Sequence, residues 1–463
     1  MPDYGFKVVY VDPNLLTAAG FGALAYQPFI LDSEPGYARL PNQFLIDRGL
    51  GYWEPKWRGE KRNPIPPSRV SMMNFARWLV NALEWAETRS IDLMHADYVS
   101  DLIGRYQNEM LKGIWSADNR PLASDTVNSR VQIALEYQMW AADKGLRDPF
   151  AIQTTTTTYI ADSYDNSKSH ETKVVQSRRG KVKVNKRTLT LPSFEGIEAW
   201  RERVHKRPVV GATEGLIVDL ILNTAIRREE TACWRVNTLP LDPKDWKIVN
   251  PDQPAEVQSV IVTIKYGTKG KQYGIDEHGD KIGPAGEIHI PLWIARCIHT
   301  YRNTERLLAL KPLLKKGKSV DEQRRIMQQA VHLFLNPTTG LRYTGNQIYA
   351  FWSRVEGPEH WSPHQGRNWW ACRYLEERMR QYAELIQQVL QTPNISSYHP
   401  MVLALRDSAQ TVIQMEIRPQ LRHANSRTTE IYLQWLFAKM RVPLSMTRQW
   451  VELNQDDGDE DDE

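Results

Sequence analysis

The C-terminal part of the chain contains, at residues 421–432, the stretch LRHANSRTTEIY, in which a histidine, two threonines and a tyrosine stand at fixed intervals. Three shorter segments that carry basic residues precede it. They read TAIRREE at 224–230, TKGK at 268–271 and HQGR at 364–367. Because each short segment also occurs by chance, the signal lies in their order and their joint occurrence.

In this order, the four segments resemble the characteristic boxes of the tyrosine recombinase (phage integrase) family. The first resembles T-G-L-R-x-x-E, the second the family's β-hairpin lysine, the third H-x-x-R, and the fourth aligns without gaps to L-G-H-x-x-x-x-T-T-x-x-Y. The resemblance covers residues 189–440 and, more weakly, 66–150. It implies a mainly α fold with a small antiparallel β-sheet: a helical core-binding (SAM-like) domain followed by an α+β tyrosine-recombinase catalytic domain.

Two residues and one interval depart from the family pattern. Gly366 stands where an apolar residue is usual. Arg422 replaces the glycine that normally precedes the second histidine. It is either a further phosphate contact or a residue that changes the shape of the site. The interval from Arg367 to His423 is longer than the pattern implies, which predicts a helical insertion near 382–415.

The residue types also suit metal-free cleavage of a DNA phosphodiester, which needs stabilisation of the phosphate charge, a nucleophile and an acid for the leaving group. Arg227 and Arg367 are the expected phosphate ligands, because a guanidinium binds phosphate oxygens bidentately and stays charged. The Thr-x-x-Arg-x-x-Glu spacing selects Arg227 over its neighbour Arg228. Glu230 is either an anchor that holds Arg227 or an ordinary acid on a helix surface.

Tyr432 is the expected nucleophile and would form a 3′-phosphotyrosyl link. A phenol ordinarily has a pKa of about 10, so nearby positive charge is needed to favour the phenolate. The apolar residues around Tyr432 also fit a tyrosine that simply packs in a core. His364 and His423 are expected to hydrogen-bond the phosphate or to relay the proton of the nucleophile.

Lys269 is the expected general acid, which would protonate the departing 5′-oxygen. It lies in a Gly- and Lys-rich turn between two β-like segments, where a lysine can reach into a site as a mobile donor. Lys265 and Lys271 are close in sequence, and a solvated turn lysine is the alternative interpretation. The family's T-K pattern favours Lys269.

Charge is unevenly distributed along the 463 residues. The net charge is +4, but the last eight residues carry seven acids, and without them it would be +11. A basic body favours a polyanionic partner. The acidic tail is either a disordered solubilising end or a competitor of DNA for the basic surface.

Composition and pattern divide the chain into five parts. The predicted parts are an N-terminal extension of unknown role (1–65), irregular apart from one short strand; a helical core DNA-binding domain (66–150); a basic interdomain linker (151–188); the catalytic domain (189–450); and an acidic disordered tail (451–463). The linker is either a solvated loop or a strap that contacts phosphates. Together with Arg422, the predicted DNA-binding residues are Lys173, Arg178, Arg179, Lys181, Lys183, Lys186 and Arg187.

No metal-ligand spacing, P-loop or dinucleotide fingerprint occurs, so neither a metal nor another cofactor is expected. No run of 18 apolar residues and no signal segment occurs, and the expected location is the bacterial cytoplasm, on the nucleoid when DNA is bound. The resemblance implies a site-specific recombinase or integrase of a mobile genetic element, acting as a homotetramer on double-stranded DNA with accessory DNA-bending or directionality factors. A topoisomerase-like or telomere-resolving enzyme, and a non-catalytic DNA-binding accessory protein on the same fold, are the alternatives.

Overall fold

The chain forms two compact units, and the division falls between Lys186 and Arg187. The computed structural model describes residues 5–32, 36–55, 66–149, 152–161, 171–183, 189–269, 274–382, 384, 398–423 and 430–440. Each unit has its own hydrophobic core. The acidic tail lies outside the described residues.

The first unit is mainly helical. Its elements are β1 (Lys7–Val9), α1 (Pro13–Ala18), a 3-10 turn (Gly22–Leu24), β2 (Phe29–Leu31), α2 (Arg39–Leu50), α3 (Arg69–Thr88), a π-helical segment (Tyr98–Gln107), α4 (Asn108–Leu111), α5 (Ser124–Asp143), β3 (Thr154–Ala161) and β4 (Glu171–Arg178). Leu79, Trp85 and Trp140 are buried between its helices. This burial follows from the three- and four-residue spacing of the apolar side chains.

Helix α2 contradicts the prediction that residues 1–65 are irregular apart from one short strand. Its buried face includes polar side chains with specific partners. Asn42 exchanges two hydrogen bonds with the backbone of Ile30, at 2.6 and 2.8 Å, and Asp47 accepts a hydrogen bond from the Trp140 indole at 2.9 Å. These polar residues interrupt the apolar periodicity, so the sequence carried little helical signal. The helix belongs to the same hydrophobic cluster as α3 and α5.

Residues 151–188 contain a β-hairpin where the sequence predicted an extended linker. Strands β3 and β4 pair antiparallel along their whole lengths, which suits the β-branched threonines of β3. The chain after β4 is tied to the helical unit: Tyr98 Oη donates to Arg179 O at 2.5 Å, and Asn128 Nδ2 donates to Val182 O at 2.8 Å. The described part of this segment is therefore integrated into the first unit.

The second unit combines helices with one sheet. Its elements are α6 (Phe194–His205), α7 (Gly211–Thr224), α8 (Arg228–Ala232), a 3-10 turn (Pro243–Asp245), β5 (Ile248–Val249), β6 (Ser259–Tyr266), β7 (Gly274–Ile275), β8 (Lys281–Pro291), α9 (Leu292–Asn303), α10 (Glu305–Leu314), α11 (Val320–Gln329), α12 (Gly345–Arg354), α13 (Pro363–Arg378), α14 (Tyr398–Val412), a π-helical segment (Ile413–Ile417), α15 (Arg418–Leu421) and α16 (Glu430–Lys439).

The sheet and α7 form the centre of the second unit. The strand order is β5-β6-β8-β7, and all the pairs are antiparallel. The β6–β8 register pairs Val262 with Ile288 and shifts between Ile264 and Tyr266. Helix α7 is apolar on nearly every side and is accordingly buried. Its C-terminal end carries the first of the sequence segments singled out above.

Two breaks separate helices of the second unit. At Thr304, φ and ψ of −125° and −87° separate α9 from α10. Helix α13 ends at Arg378. In the predicted insertion near 382–415, α14 joins the hydrophobic cluster that contains Tyr432, and residues 383 and 385–397 lie outside the described part.

The predicted fold class, mainly α with a small antiparallel β-sheet, is confirmed. Among the described residues, no helix has the length and the apolar character required to cross a membrane.

Candidate active site

Arg227 is placed where α7 gives way to α8. Helix α7 ends at Ala225 in a left-handed conformation (φ 53°), and Arg227 is the N-cap of α8. The Arg227 guanidinium donates to Glu230 Oε1 at 3.1 Å, and its backbone N–H donates to Glu230 Oε2 at 2.9 Å. Its second terminal nitrogen donates to the carbonyls of Leu421 and Arg422, at 3.0 and 3.1 Å. These contacts fix one arginine between two distant parts of the sequence.

Arg367 lies in the first turns of α13 and points to the same place. Its guanidinium donates to the carbonyl of Ala225 and, at 3.1 Å, to the carbonyl of Leu421. The side chain is 4% exposed. Burial, and secondarily the charge of Arg227, lower the pKa of Arg367 to about 9. At neutral pH the guanidinium still carries its charge, so two cations face each other across one carbonyl group.

The structure explains the glycine that departs from the family pattern. A methyl group at Gly366 would lie 3.2 Å from side-chain atoms of both Leu222 and Trp352. Leu222 and Trp352 therefore leave little space for a side chain at position 366. The glycine at position 366 therefore fits closely against Trp352, and Arg367 remains within α13.

Gln420 joins the chain before the second histidine to the rest of the site. Its side-chain nitrogen donates to the carbonyls of Thr224 and His289, at 2.9 and 2.8 Å, and its oxygen accepts from His289 N at 2.9 Å. Gln420 thus links α15 to the end of α7 and to β8. This link holds the Leu421 carbonyl where both arginines reach it.

A glycine turn beside α8 precedes Lys269, whose charge acts on His364 and His423. Gly267 has a φ of 69°, and a methyl group there would lie 2.5 Å from the carbonyl oxygen of Glu229. Only glycine allows the chain after β6 to pass so close to α8. Lys269 follows two residues later with an exposed side chain. Lys271 lies outside the described residues, whereas Lys265 precedes this turn on β6.

His364 and His423 lie in the positive field of these residues. Partial burial lowers the pKa of His364, and the charges of Arg367 and Lys269 lower it further. For His423, burial and then the charge of Arg367 lower the pKa to about 4. Both imidazoles are consequently neutral at pH 7, able to accept a proton or to donate one hydrogen bond.

Tyr432 is close to Arg367, but its hydroxyl is sheltered. The residue is 1% exposed, and its hydroxyl donates to Asn368 Oδ1 at 3.1 Å. Burial raises the pKa of Tyr432, and the charge of Arg367 opposes this rise without overcoming it. The phenolate that the sequence argument invoked is therefore disfavoured in this conformation.

Arg422 also contacts Glu230. Its backbone is left-handed (φ 50°), and its guanidinium donates to Glu230 Oε2. Glu230, which has no exposed surface, therefore contacts two of the three arginines. Of the six residues predicted to be catalytic, Arg227 and Arg367 thus meet at the Leu421 carbonyl. The charge of Arg367 acts on His364, His423 and Tyr432, and the charge of Lys269 acts on both histidines.

The predicted DNA-binding bases of the linker have different surroundings. Arg178 is 2% exposed and donates to Gln107 Oε1 and Asn128 Oδ1, both at 3.1 Å, so its guanidinium is committed inside the first unit. Its prediction as a DNA contact does not fit this placement. The bases with exposed side chains are Arg179, Lys181 and Lys183. The side chain of Lys173, and all of Lys186 and Arg187, lie outside the described part.

Sequence reasoning missed three positioning residues, Gly267, Asn368 and Gln420. Each is a direct neighbour, or nearly so, of a box residue. Asn368 follows Arg367, Gln420 precedes the Leu421 stretch, and Gly267 precedes Thr268. Their proximity to the box residues was the only signal that the sequence offered. The hydrogen-bond partners of Asn368 and Gln420 lie 64 to 196 positions away, and Gly267 passes close to Glu229.

No protein-family model matches this chain, and no curated protein matches its sequence. The solved structures it resembles include a XerH site-specific recombinase bound to palindromic difH substrate in a post-cleavage complex, with 16% identity and a TM-score of 0.45. That similarity covers 81% of this chain and 80% of the XerH chain.

Two further structures share the resemblance. A Tn1549 transposon integrase in complex with transposon right end DNA is 11% identical, with a TM-score of 0.45, over 87% of this chain and 98% of that one. A XerA recombinase is 12% identical, with a TM-score of 0.27, over 89% of this chain and 98% of that one.

Proposed function

We propose that this protein is a site-specific DNA recombinase or integrase that cuts and rejoins double-stranded DNA through a 3′-phosphotyrosyl intermediate. The observation that carries the proposal is the convergence of Arg227 and Arg367 on the carbonyl of Leu421. Lys269, His364 and His423 share the same electrostatic field. These residues come from four segments of the sequence, and a structural role would not require this combination.

The charge of the site suits a phosphodiester. Two guanidiniums in partly desolvated surroundings offer donors to the non-bridging oxygens, where negative charge develops during in-line displacement. Because their pre-organised contacts go to backbone carbonyls, the arginines need little reorganisation as the phosphate reacts. The neutral imidazoles of His364 and His423 supply either a hydrogen bond or a proton acceptor.

The proposed step exchanges one ester for another. The Tyr432 oxygen forms a bond to phosphorus while the bond from phosphorus to the 5′-oxygen breaks. The phenol proton passes to His364 or His423, and Lys269 protonates the departing oxygen. A second strand's free 5′-hydroxyl then attacks the phosphotyrosyl link and releases Tyr432. The ester is conserved throughout, so rejoining needs no ATP.

The sheltered hydroxyl of Tyr432 requires a conformational step before cleavage. The hydroxyl must leave Asn368 and lose part of the burial that raises its pKa. The same burial favours a second candidate function, a non-catalytic DNA-binding accessory protein on the same fold, in which Tyr432 stays in the core. The two candidates predict opposite results in a covalent-capture experiment.

The finer parts of the proposal come from the family resemblance. They are a role in integration or excision of a mobile genetic element, assembly of four protomers on two DNA sites, help from accessory DNA-bending or directionality factors, and action on the bacterial nucleoid. The exposed bases Arg179, Lys181 and Lys183 would contact DNA phosphates outside the site.

Covalent capture tests the proposed function. The full-length protein is incubated with nicked duplexes whose central sequence is randomised, denatured in detergent, and analysed for DNA that remains attached. Wild-type protein should retain DNA, whereas Tyr432→Phe, which removes one hydroxyl and preserves the apolar ring, should retain none.

Tyr374→Phe is the matched control, because Tyr374 is a partly buried tyrosine of the same unit, and its hydroxyl donates a hydrogen bond to Glu416 at 2.5 Å. That variant should form the adduct at the wild-type level. An adduct of equal yield with Tyr432→Phe would eliminate Tyr432 as the nucleophile. DNA binding without any adduct in the wild-type protein would favour the accessory function.

A further inference from the structure

The backbone at Arg422 has a conformation that normally selects glycine. Arg422 ends α15 with φ 50° and ψ 51°, in the left-handed region, where a side chain is sterically disfavoured. A residue other than glycine persists in such a conformation when the surroundings compensate for the strain. We therefore expect the contacts of the Arg422 side chain to supply that compensation.

The structure leaves a dedicated space for the Arg422 side chain. The side chain runs across β8 at Gly286, where a methyl group would lie 2.7 Å from Arg422 Cδ. The side chain is only 15% exposed, much less than that of an arginine on the protein surface. Arg422 thus has a backbone conformation that favours glycine, and its side chain packs against Gly286, where a larger residue would clash with it.

The guanidinium of Arg422 is only partly satisfied. One terminal nitrogen donates to Glu230, while Nε and Nη1 are buried without a hydrogen-bond partner among the described residues. Buried donors without partners are costly, and in native structures each calls for an explanation. Here the unpaired donors belong to a cation beside the two phosphate-binding arginines.

Charge in this cluster is also unbalanced. Burial lowers the pKa of Arg422; Glu230 opposes the shift, and Arg227 adds to it. The charge of Arg422 in turn lowers the pKa of Arg367. Arg227 and Arg422 thus share the carboxylate of Glu230, and the charges of both arginines act on the pKa of Arg367. Such a cluster favours the binding of an anion.

We infer that Arg422 is a third phosphate-binding arginine, which donates to the same DNA phosphate as Arg227 and Arg367 while Glu230 sets its position. This inference rests on the proposed function, because it assigns Arg422 to the phosphate of that site. Bound phosphate provides partners for the unpaired donors and neutralises part of the excess charge. Both effects compensate for the strained backbone.

Binding of inorganic phosphate to the full-length protein tests the inference. Isothermal titration compares wild-type protein with Arg422→Gly, and thermal unfolding is followed in parallel. The glycine variant should bind phosphate about tenfold more weakly, as expected for loss of a charged hydrogen bond. It should also unfold at a higher temperature without phosphate, because it relieves the left-handed strain and removes a buried cation.

Val209→Gly is the matched control. Val209 has a φ of 67° and is 74% exposed, and it precedes α7 at the end opposite Thr224. This variant relieves similar backbone strain away from the arginines, so it should raise the unfolding temperature and leave phosphate affinity unchanged. Arg422→Lys keeps a positive charge and should bind phosphate more tightly than Arg422→Gly.

The outcomes separate this inference from the proposed function. Equal phosphate affinity in wild-type protein and Arg422→Gly, or in the lysine and glycine variants, overturns the role of Arg422 even when the wild-type protein forms the Tyr432 adduct. Phosphate binding that depends on Arg422 but occurs without any adduct supports the role of Arg422 and counts against the proposed catalysis.

Discussion

Two buried ionic clusters in the second unit differ in their balance of charge. In the first, Asp280 contacts Arg235 at 3.0 Å, His332 at 2.9 Å and also Arg342, while Asp276 pairs with Arg235 as well. Asp280 is 1% exposed, and its hydrogen bonds to His332 and Arg235 hold its pKa below the usual range despite burial. Two carboxylates thus serve two arginines and a histidine.

The second cluster has an excess of positive charge. Arg227 and Arg422 contact the single carboxylate of Glu230, whereas the hydrogen bonds of Arg367 go to the backbone carbonyls of Ala225 and Leu421. The pKa values of Arg367 and Arg422 are lowered, as are those of His364 and His423. A balanced cluster stabilises the fold, whereas an unbalanced one is suited to an anionic ligand.

The largest expected effect is on the balanced cluster. Asp280→Asn should lower the free energy of unfolding of the second unit by about 3–5 kcal/mol, because it removes a buried carboxylate that pairs with Arg342 and is one of the two carboxylates on Arg235. Urea unfolding monitored by tryptophan fluorescence measures the change. Asp321→Asn is the control, since the Asp321 pair with Arg324 is exposed and 3.8 Å long. A loss no greater than that of the control would contradict the distinction between the clusters.

The next largest effect is on the rate of covalent adduct formation, which we expect to depend on the arginines of the unbalanced cluster. Arg367→Ala and Arg227→Ala should slow adduct formation by about 10²–10³-fold, the usual cost of one oxyanion-stabilising group, while much of the DNA binding remains. Single-turnover adduct formation and gel-shift assays measure the two quantities. Arg235→Ala, from the balanced cluster, should lower stability but leave the adduct rate of the folded protein unchanged. Equal loss of binding and cleavage in the site variants would mark those arginines as structural.

The contrast shows how far sequence reasoning reaches. The positions of Arg227, Arg367 and Tyr432 could be selected because each belongs to a box with fixed local spacing. The partners of Arg367 could not be selected, because backbone carbonyls carry no side-chain signal and Ala225 and Leu421 lie 142 and 54 positions away. The burial of Tyr432 also depends on α14, which belongs to the predicted insertion rather than to any box.

The fold shows the same limit. Helices with regular apolar spacing, such as α3 and α5, could be located from the sequence. Helix α2 was missed because Asn42 and Asp47, which are polar, occupy its buried face and bond to distant partners. Local pattern therefore predicts elements whose stability comes from apolar burial and misses those organised by buried hydrogen bonds.

A smaller effect distinguishes two neighbouring arginines of the first unit, Arg178 and Arg179, by their contributions to stability and to DNA binding. Arg178→Ala should cost about 1–3 kcal/mol of stability, because it leaves Gln107 Oε1 without this donor and removes one of the two donors to Asn128 Oδ1. Arg179→Ala should leave stability nearly unchanged and reduce the salt dependence of DNA binding by about one ion. Thermal unfolding and binding titrations across salt concentrations measure the two effects. Reversed results would place Arg178, not Arg179, at the DNA.

The smallest expected effect is the pH dependence that His423 contributes. Its pKa is about 4 in the folded protein and about 6.5 in an unfolded chain, so the unfolded state binds more protons between these values. Stability from this group is therefore complete above pH 6.5 and declines as the pH falls towards 4. Because the ring is partly solvated, screening keeps the effect modest.

His423→Gln should flatten the pH dependence of the unfolding free energy in this window. His95→Gln is a suitable control, because His95 is exposed and pairs with Asp92 in the first unit. The flattening should be smaller when inorganic phosphate is present, since a bound anion offsets the positive field that lowers the His423 pKa. A slope that is the same in wild-type protein and His423→Gln would mean that the excess charge of this cluster does not act on His423. The contrast with the Asp280 cluster would then rest on hydrogen bonding alone.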